Sequence, residues 1–386
     1  MRRSTEKILT THVGALPGPI EAWTAQSSEA ELLTAVRDVV DAQRRAGIDI
    51  VNEGELTKGG NWVGFINSRL AGFTPGTEGA TLRLLGDSLD WHEFDDFYRK
   101  ATEGGTLFEQ TRSAPNQTRS RLDWVCTAPI RYTGHAALKR ELDLLRDALG
   151  ANPPSDAFVT TTAPASVEVG RANEHYAREE EFVYALADAL RVEYETITTA
   201  GFLVQVDDAW LAALWDRIGV KMGLAAYKRY CMLRVEALNH ALANVPEEQI
   251  RYHLCWGSWH GPHAHDIPLA DLVDVMLAIK AQTYLFEAAN ARHEHEYTLW
   301  EEVDLPDGKI LAPGVVTHST PLIEHPELVS QRIQRFANIV GRENVIASTD
   351  CGLGLRCHPQ IAWAKLKTLA DGAALASKAL GFSAAR

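Results

Sequence analysis

The sequence predicts an α/β fold, a single parallel (β/α)8 TIM barrel with an insertion after its second strand, and three observations predict it. Short β-branched runs alternate with helix-period segments along the whole chain; the runs number eight, the count that closes a parallel barrel; and each run ends in polar residues, as in barrels whose loops carry chemistry at one face. The 386 residues are then one domain, 1–386, with 71–134 as the insertion.

The expected strands are 8–13, 49–52, 158–162, 202–206, 251–255, 283–286, 309–316 and 344–348. Helical spacing of apolar residues marks 29–46, 136–149, 179–200, 222–243, 269–281, 327–339 and 359–378. Ser28 ahead of Glu29 and Glu31 reads as an N-cap with acids in the first turn, and Pro326 and Pro359 suit a first helical turn. The 71–134 stretch has no clean period, although Leu122 to Ile130 is strand-like. A segment of that length without regular structure is uncommon unless it has a role, and here it is placed over one end of the barrel.

Composition excludes several classes. With 46% apolar residues there is ample core, and no apolar run approaches the ~18 residues that a membrane span needs. The net charge of -13 and the lack of a Lys/Arg block argue against nucleic acid and anionic membranes as partners. Residues 1–7 contain two arginines but no apolar signal core, so a cytoplasmic location is expected. Five scattered cysteines, Cys126, Cys231, Cys255, Cys351 and Cys357, suit reduced thiols better than a disulfide framework. Homo-oligomer formation stays open.

The strand ends collect the unusual residues. The first closes on Thr10-Thr11-His12-Val13-Gly14-Ala15, the second on Asn52-Glu53-Gly54-Glu55, the fourth on Gln205-Val206-Asp207-Asp208 and the fifth on His253-Leu254-Cys255. Glu287 ends the sixth, His318 the seventh, and Asp350-Cys351-Gly352 the eighth. His253 and Cys255, two apart in a strand, share one side, and Glu287 and Cys351 arrive from neighbouring strands. Two thiols, an imidazole and a carboxylate suit Zn2+ better than magnesium or calcium. The His260-Gly261-Pro262-His263-Ala264-His265-Asp266 run reads equally as a second metal site or a polar loop, and Arg292-His293-Glu294-His295-Glu296 as a solvated loop.

At these residues the chain resembles the cobalamin-independent methionine synthase family, in its C-terminal catalytic barrel and short single-barrel relatives. Thr10 to Gly14, Glu53-Gly54-Glu55, Gln205-Val206-Asp207, His253-Leu254-Cys255, Glu287 and Asp350-Cys351-Gly352-Leu353 carry the resemblance, over nearly the whole chain. It implies that His253, Cys255, Glu287 and Cys351 hold zinc, that Glu55 and Asp207 hold the amino group of an amino-acid thiol beside Gly14 and Ala15, and that His318 moves a proton. Ala15 stands where the family commonly has serine, the tryptophan expected after the third strand falls near Gly170, and His318 is offset by about one residue. The stretch 314–333 is similar to the short branch that includes epoxyalkane:coenzyme M transferases.

A free thiol with pKa ~8.5 is mostly protonated at neutral pH and needs activation before it attacks carbon. The expectation is therefore zinc-dependent transfer of a methyl or other alkyl group to a small thiol, with His318 and His12 as candidates for protonating the leaving group. The alkyl donor is a folate, a corrinoid protein or a small electrophile. Thiol addition to an epoxide, and a non-catalytic barrel that binds zinc, a thiol or a corrinoid protein, are the alternatives.

Overall fold

A computed structural model of the protein describes residues 1–18, 28–58, 64–76, 87–107 and 124–382. Its strands are β1 (Leu9–Thr10), β2 (Leu70–Pro75), β3 (Trp124–Tyr132), β4 (Phe158–Thr162), β5 (Arg171–Asn173), β6 (Leu203–Asp208), β7 (Ile250–Leu254), β8 (Thr283–Phe286), β9 (Ile310–Val316) and β10 (Ile346–Thr349). Seven form one all-parallel sheet in the order β1-β10-β9-β8-β7-β6-β4.

Side-chain alternation gives this sheet two apolar faces. In β6, Leu203 joins an inner cluster with Leu9, Ile50, Phe158, Leu285, Ile310 and Ile346, while Val204 and Val206 pack in the larger cluster formed with the helices. Strands buried on both faces are what parallel sheets require. Leu9 and Phe158 come from the two edge strands yet share the inner cluster, so the sheet is curled.

Helices Glu29–Ala46, His135–Leu149, Glu179–Thr199, Leu224–Ala241, Leu269–Leu277, Pro326–Val340 and Pro359–Ala379 alternate with the strands. Ser28 and Glu31 form a full capping box at the first of these. His325 and His358 cap the last two, each followed by proline at the first helical position. No helix among the described residues is long and apolar enough to cross a membrane.

The 49–52 segment forms no strand of its own. Asp49 and Ile50 donate to the Thr10 carbonyl, and Val51 exchanges hydrogen bonds with Asp156 and Phe158 at the other edge of the sheet. Beyond Val51, the backbone of Asn52 is satisfied by a side chain: the Gln43 amide accepts from its N–H at 3.0 Å and donates to its carbonyl at 2.7 Å. Gly54 and Glu55 then take positive φ angles of 73° and 59° and turn the chain away.

Within 71–134, the positions 77–86 and 108–123 lie outside the described residues. The rest is more regular than its sequence suggests. β2 and β3 form an antiparallel pair joined by β5 in parallel, and helices Leu89–Glu93 and Asp95–Gly104 stand between β2 and β3 in the chain. Those helices reach the loop beyond β7: Asp90 accepts from the Ala264 N–H at 2.9 Å, and the Trp259 indole donates to the Tyr98 hydroxyl at 3.1 Å.

Candidate metal and thiol site

β7 projects Arg251 and His253 to the inner face, and Cys255 follows just past its end in the same alternation. Cys255 Sγ lies 3.9 Å from Cys351 Sγ, beyond β10, and 3.8 Å from Glu287 Oε1, beyond β8. Ligand atoms of His253, Cys255 and Cys351 all lie within 4.8 Å of one another, and all three residues are buried. The register pairs Asp207 with His253, and Asp207 Oδ1 meets His253 Nδ1 at 3.0 Å. His253 Nε2 is left buried with no hydrogen-bond partner among the described residues.

Glu287 accepts from the Trp256 N–H at 3.3 Å through Oε1 and from Asn290 Nδ2 at 2.6 Å through Oε2. Its closest grouping is with His318 and Asp350, whose ligand atoms share a 4.8 Å neighbourhood. Asp350 Oδ1 accepts from the backbone of Ala288 and Ala289, which fixes the β8 loop against β10. Burial lifts the Glu287 carboxyl to about 8.

The two thiols lie within hydrogen-bond reach of each other. The hydrogen bond from Cys255 favours the Cys351 thiolate over the cost of burial, aided by Arg356 and His253, while the same bond and burial push Cys255 up. Burial, then the cations of Arg356, His263, His260 and Lys365, hold His318 well below the usual histidine range, and its Nδ1 is buried and unpartnered.

Glu55, Glu53 and Asp207 form an acidic wall that adjoins the site through the Asp207–His253 bond. Glu55 is buried, and a Cβ at Gly14 would sit 2.3 Å from its Oε1, so only glycine leaves the carboxylate its place. Burial raises Glu55 to about 7, with Lys58 opposing and Asp207 and Glu53 adding. Glu55 makes no ion pair among the described residues, and the only pair Asp207 makes there is with His253. Ala15 lies beside this wall and accepts from the Gly354 N–H at 2.8 Å.

His12 is elsewhere. It is 1% exposed, its Nε2 meets Gln43 Oε1 at 2.8 Å, and burial lowers it to about 3. Cys357 points its thiol at the His318 carbonyl and is outside both ligand groups.

Histidines of the two ambiguous loops form a buried tetrad. His263 Nδ1 meets Asp266 Oδ2 at 3.0 Å and its Nε2 meets the Trp259 carbonyl at 3.1 Å. His293 Nε2 meets the same Asp266 oxygen at 3.2 Å and its Nδ1 meets Glu296 at 2.9 Å. Burial opposes charge on His293, but the two carboxylates outweigh it and raise it to about 10.

Two further features escaped the sequence reading. Arg251 is fully buried, donates to Thr11 Oγ1 and the His12 carbonyl at 2.9 Å each, and lies 3.8 Å over the Phe158 ring; strand alternation from His253 already placed it inside. Lys58 pairs with Glu141 at 2.7 Å, and Arg69 pairs with Glu141 at 2.8 Å and Glu193 at 2.9 Å, all buried. The signal existed: Glu141 lies on the Leu138, Leu142, Leu145 stripe and Glu193 on the Leu186, Leu190, Ile197 stripe, where a lone acid needs a buried cation.

Residues 159–374 match the family model described as cobalamin-independent synthase, catalytic domain, and the chain belongs to that family. Among its relatives is a methionine synthase of Saccharolobus solfataricus, 23% identical over 379 residues, covering 94% of this chain and 93% of the relative. Its fold is similar to that of a B12-independent methionine synthase from Shewanella sp. W3-18-1 in complex with selenomethionine, with TM-score 0.69, 19% identity, and coverage of 97% and 99% of the two chains. A Listeria monocytogenes protein described as a vitamin-B12-independent methionine synthase aligns with TM-score 0.64 and 17% identity over 95% of this chain and 98% of that one.

Proposed function

We propose that this protein is a zinc-dependent thiol S-methyltransferase of the methionine synthase kind, acting on homocysteine or a closely related amino thiol in the cytoplasm. The observation that carries this reading is the unpartnered, buried His253 Nε2 beside two thiols 3.9 Å apart, a donor set that leaves lone pairs with nothing to bind in the protein itself. The reading takes 1–386 as one (β/α)8 barrel with 49–52 as its second stave, in line with the Val51 hydrogen bonds at both sheet edges, and with the 71–134 insertion over the mouth.

His253, Cys255, Cys351 and Glu287 would hold the ion. When bound, zinc lowers the pKa of a substrate thiol so that it reacts as thiolate. Asp207 fixes the His253 tautomer by accepting from Nδ1, which leaves Nε2 for the ligand role. Glu55 and Asp207 receive the substrate ammonium, and its charge favours the ionised form of Glu55 that burial and Asp207 otherwise disfavour.

His318, neutral at pH 7, takes the proton of the incoming thiol at Nδ1 and returns it to the leaving group once the S–C bond has formed. His12 also keeps a buried, unpartnered Nδ1, but its Nε2 is bonded to Gln43 and it lies outside both ligand groups, so it serves less well. Gly257, whose N–H points at Cys255 Sγ at 3.3 Å, packs against the Trp259 ring, which forms an aromatic wall for the methyl donor, a folate, a corrinoid protein or a small electrophile.

The test is to supply zinc-loaded protein and homocysteine with a methylated folate, a methylated corrinoid protein or a small methyl electrophile, and to weigh the thiol product. Methionine is the expected product. A thioether without the transferred methyl, such as a hydroxyalkyl adduct formed from an added epoxide in place of methionine, overturns the reading.

A further inference from the structure

The loop after β10 carries a cation that meets no carboxylate among the described residues. Arg356, half-buried, donates through Nε to Ser258 Oγ and through Nη1 to the Gly354 carbonyl at 3.2 Å. Its Nη2 has no partner, and it makes no ion pair among the described residues. Lys58, Arg69, Arg234 and Arg332 each meet a carboxylate, whereas Arg251 spends its donors on Thr11 Oγ1 and the His12 carbonyl; Arg356 differs from both in having a free edge. A guanidinium fork with one edge free is the usual receptor for a planar oxyanion.

Backbone geometry marks the same place. Among the described residues, three other than glycine have positive φ: Glu55 at 59°, His263 at 52° and Leu355 at 62°. The last of these, Leu355, directly precedes Arg356. Such conformations cost free energy and persist where the surroundings enforce them, often at functional sites.

Position then selects the oxyanion. A Cβ at Gly354 would lie 3.0 Å from the backbone of Ala15 and Leu16, so the Arg356 loop is pressed onto the turn whose neighbouring Gly14 makes room for Glu55. The same arginine donates to Ser258 and its charge favours the Cys351 thiolate, which sets it beside the thiols. An amino acid bears its ammonium and carboxylate on one carbon, so the groups that receive them must be neighbours.

We infer that Arg356 binds the α-carboxylate of the amino-acid thiol whose ammonium group Glu55 and Asp207 receive. The inference rests on the amino-thiol reading above and adds to it a selectivity: the site takes zwitterionic amino acids over amines of the same length. An anion on the alkyl donor is the competing source, and a purely electrostatic role beside Cys351 is the competing function.

Calorimetric titration of the zinc-loaded protein with L-methionine and with 3-(methylthio)propylamine, the same molecule without its carboxylate, separates these. Wild type is expected to bind methionine more tightly than the amine. Arg356→Gln should weaken methionine about 10- to 100-fold and leave the amine within about threefold, and Arg356→Lys should recover part of the loss. Equal weakening of both ligands would mean that Arg356 acts through the thiols, and unchanged methionine binding would assign it to the donor; either result overturns the inference. Wild-type protein that binds neither compound defeats the amino-thiol reading itself, and the inference with it.

Discussion

The protein holds two buried groupings of histidine and carboxylate that look alike in composition and differ in valence. In the His263–Asp266–His293–Glu296 tetrad every ring nitrogen meets an oxygen acceptor, so both rings act as double donors and have no lone pair to offer. In the other grouping, His253 and His318 each keep one buried nitrogen without a partner. The first is closed and locks the loops beyond β7 and β8 together. The second is open, with nitrogens that meet no partner among the described residues.

The sharpest way to break this contrast is to delete a thiol. Cys255→Ala and Cys351→Ala should each bring zinc below about half an equivalent per chain and lower methyl transfer by roughly a thousandfold or more, read by elemental analysis and product mass. Full zinc content in either variant ends the metal assignment. His293→Ala should do the opposite, keeping zinc while losing ~3–5 kcal/mol of stability in urea unfolding, because Glu296 is left buried without its cation and Asp266 keeps only His263. A folded His293→Ala protein that has lost its zinc would show the tetrad to be part of the open grouping.

Smaller effects sharpen the boundary. Asp207→Asn should weaken zinc about 10- to 100-fold through the His253 tautomer, whereas Glu55→Gln should leave zinc affinity alone and raise KM for homocysteine about 10- to 100-fold. If both variants weaken zinc equally, the acidic wall is not separate from the metal grouping.

The tetrad also predicts a pH dependence. His293 is raised from an ordinary value near 6.5 to about 10 in the folded protein, so its stabilising contribution is fully present below about 6.5 and is lost as pH rises through about 10. Melting temperature should therefore decline between about pH 7 and 10 in wild type, with a shallower decline in His293→Ala. Parallel slopes in the two proteins would remove the imidazolium from the account.

Seven of the eight expected strands and the seven main helices were legible because their signal is local periodicity. The 49–52 stave was legible as an apolar run but not as an isolated bridge. Its truncation depends on Gln43 reaching Asn52 from a helix, a contact that no periodicity encodes. Grouping His253 with Cys255 and Cys351 needed only strand alternation and adjacency. The histidine-rich loops stayed ambiguous because a sequence displays imidazoles without their partners, and Asp266 serves two of them from different loops. Glu141 and Glu193 were visible as acids on apolar stripes, but their cations, Lys58 and Arg69, come from outside those helices.

Gly14 contributes by what it lacks. With its Oε1 only 2.3 Å from where a Cβ would be, Glu55 occupies the volume of a methyl group that the chain forgoes. Even alanine at position 14 would force that carboxylate to shift and would also press on Thr160 Cγ2 at 3.0 Å. Under the proposed reading, one methyl group there should cost the site its hold on a substrate ammonium, read as a raised KM for homocysteine in Gly14→Ala at unchanged zinc content.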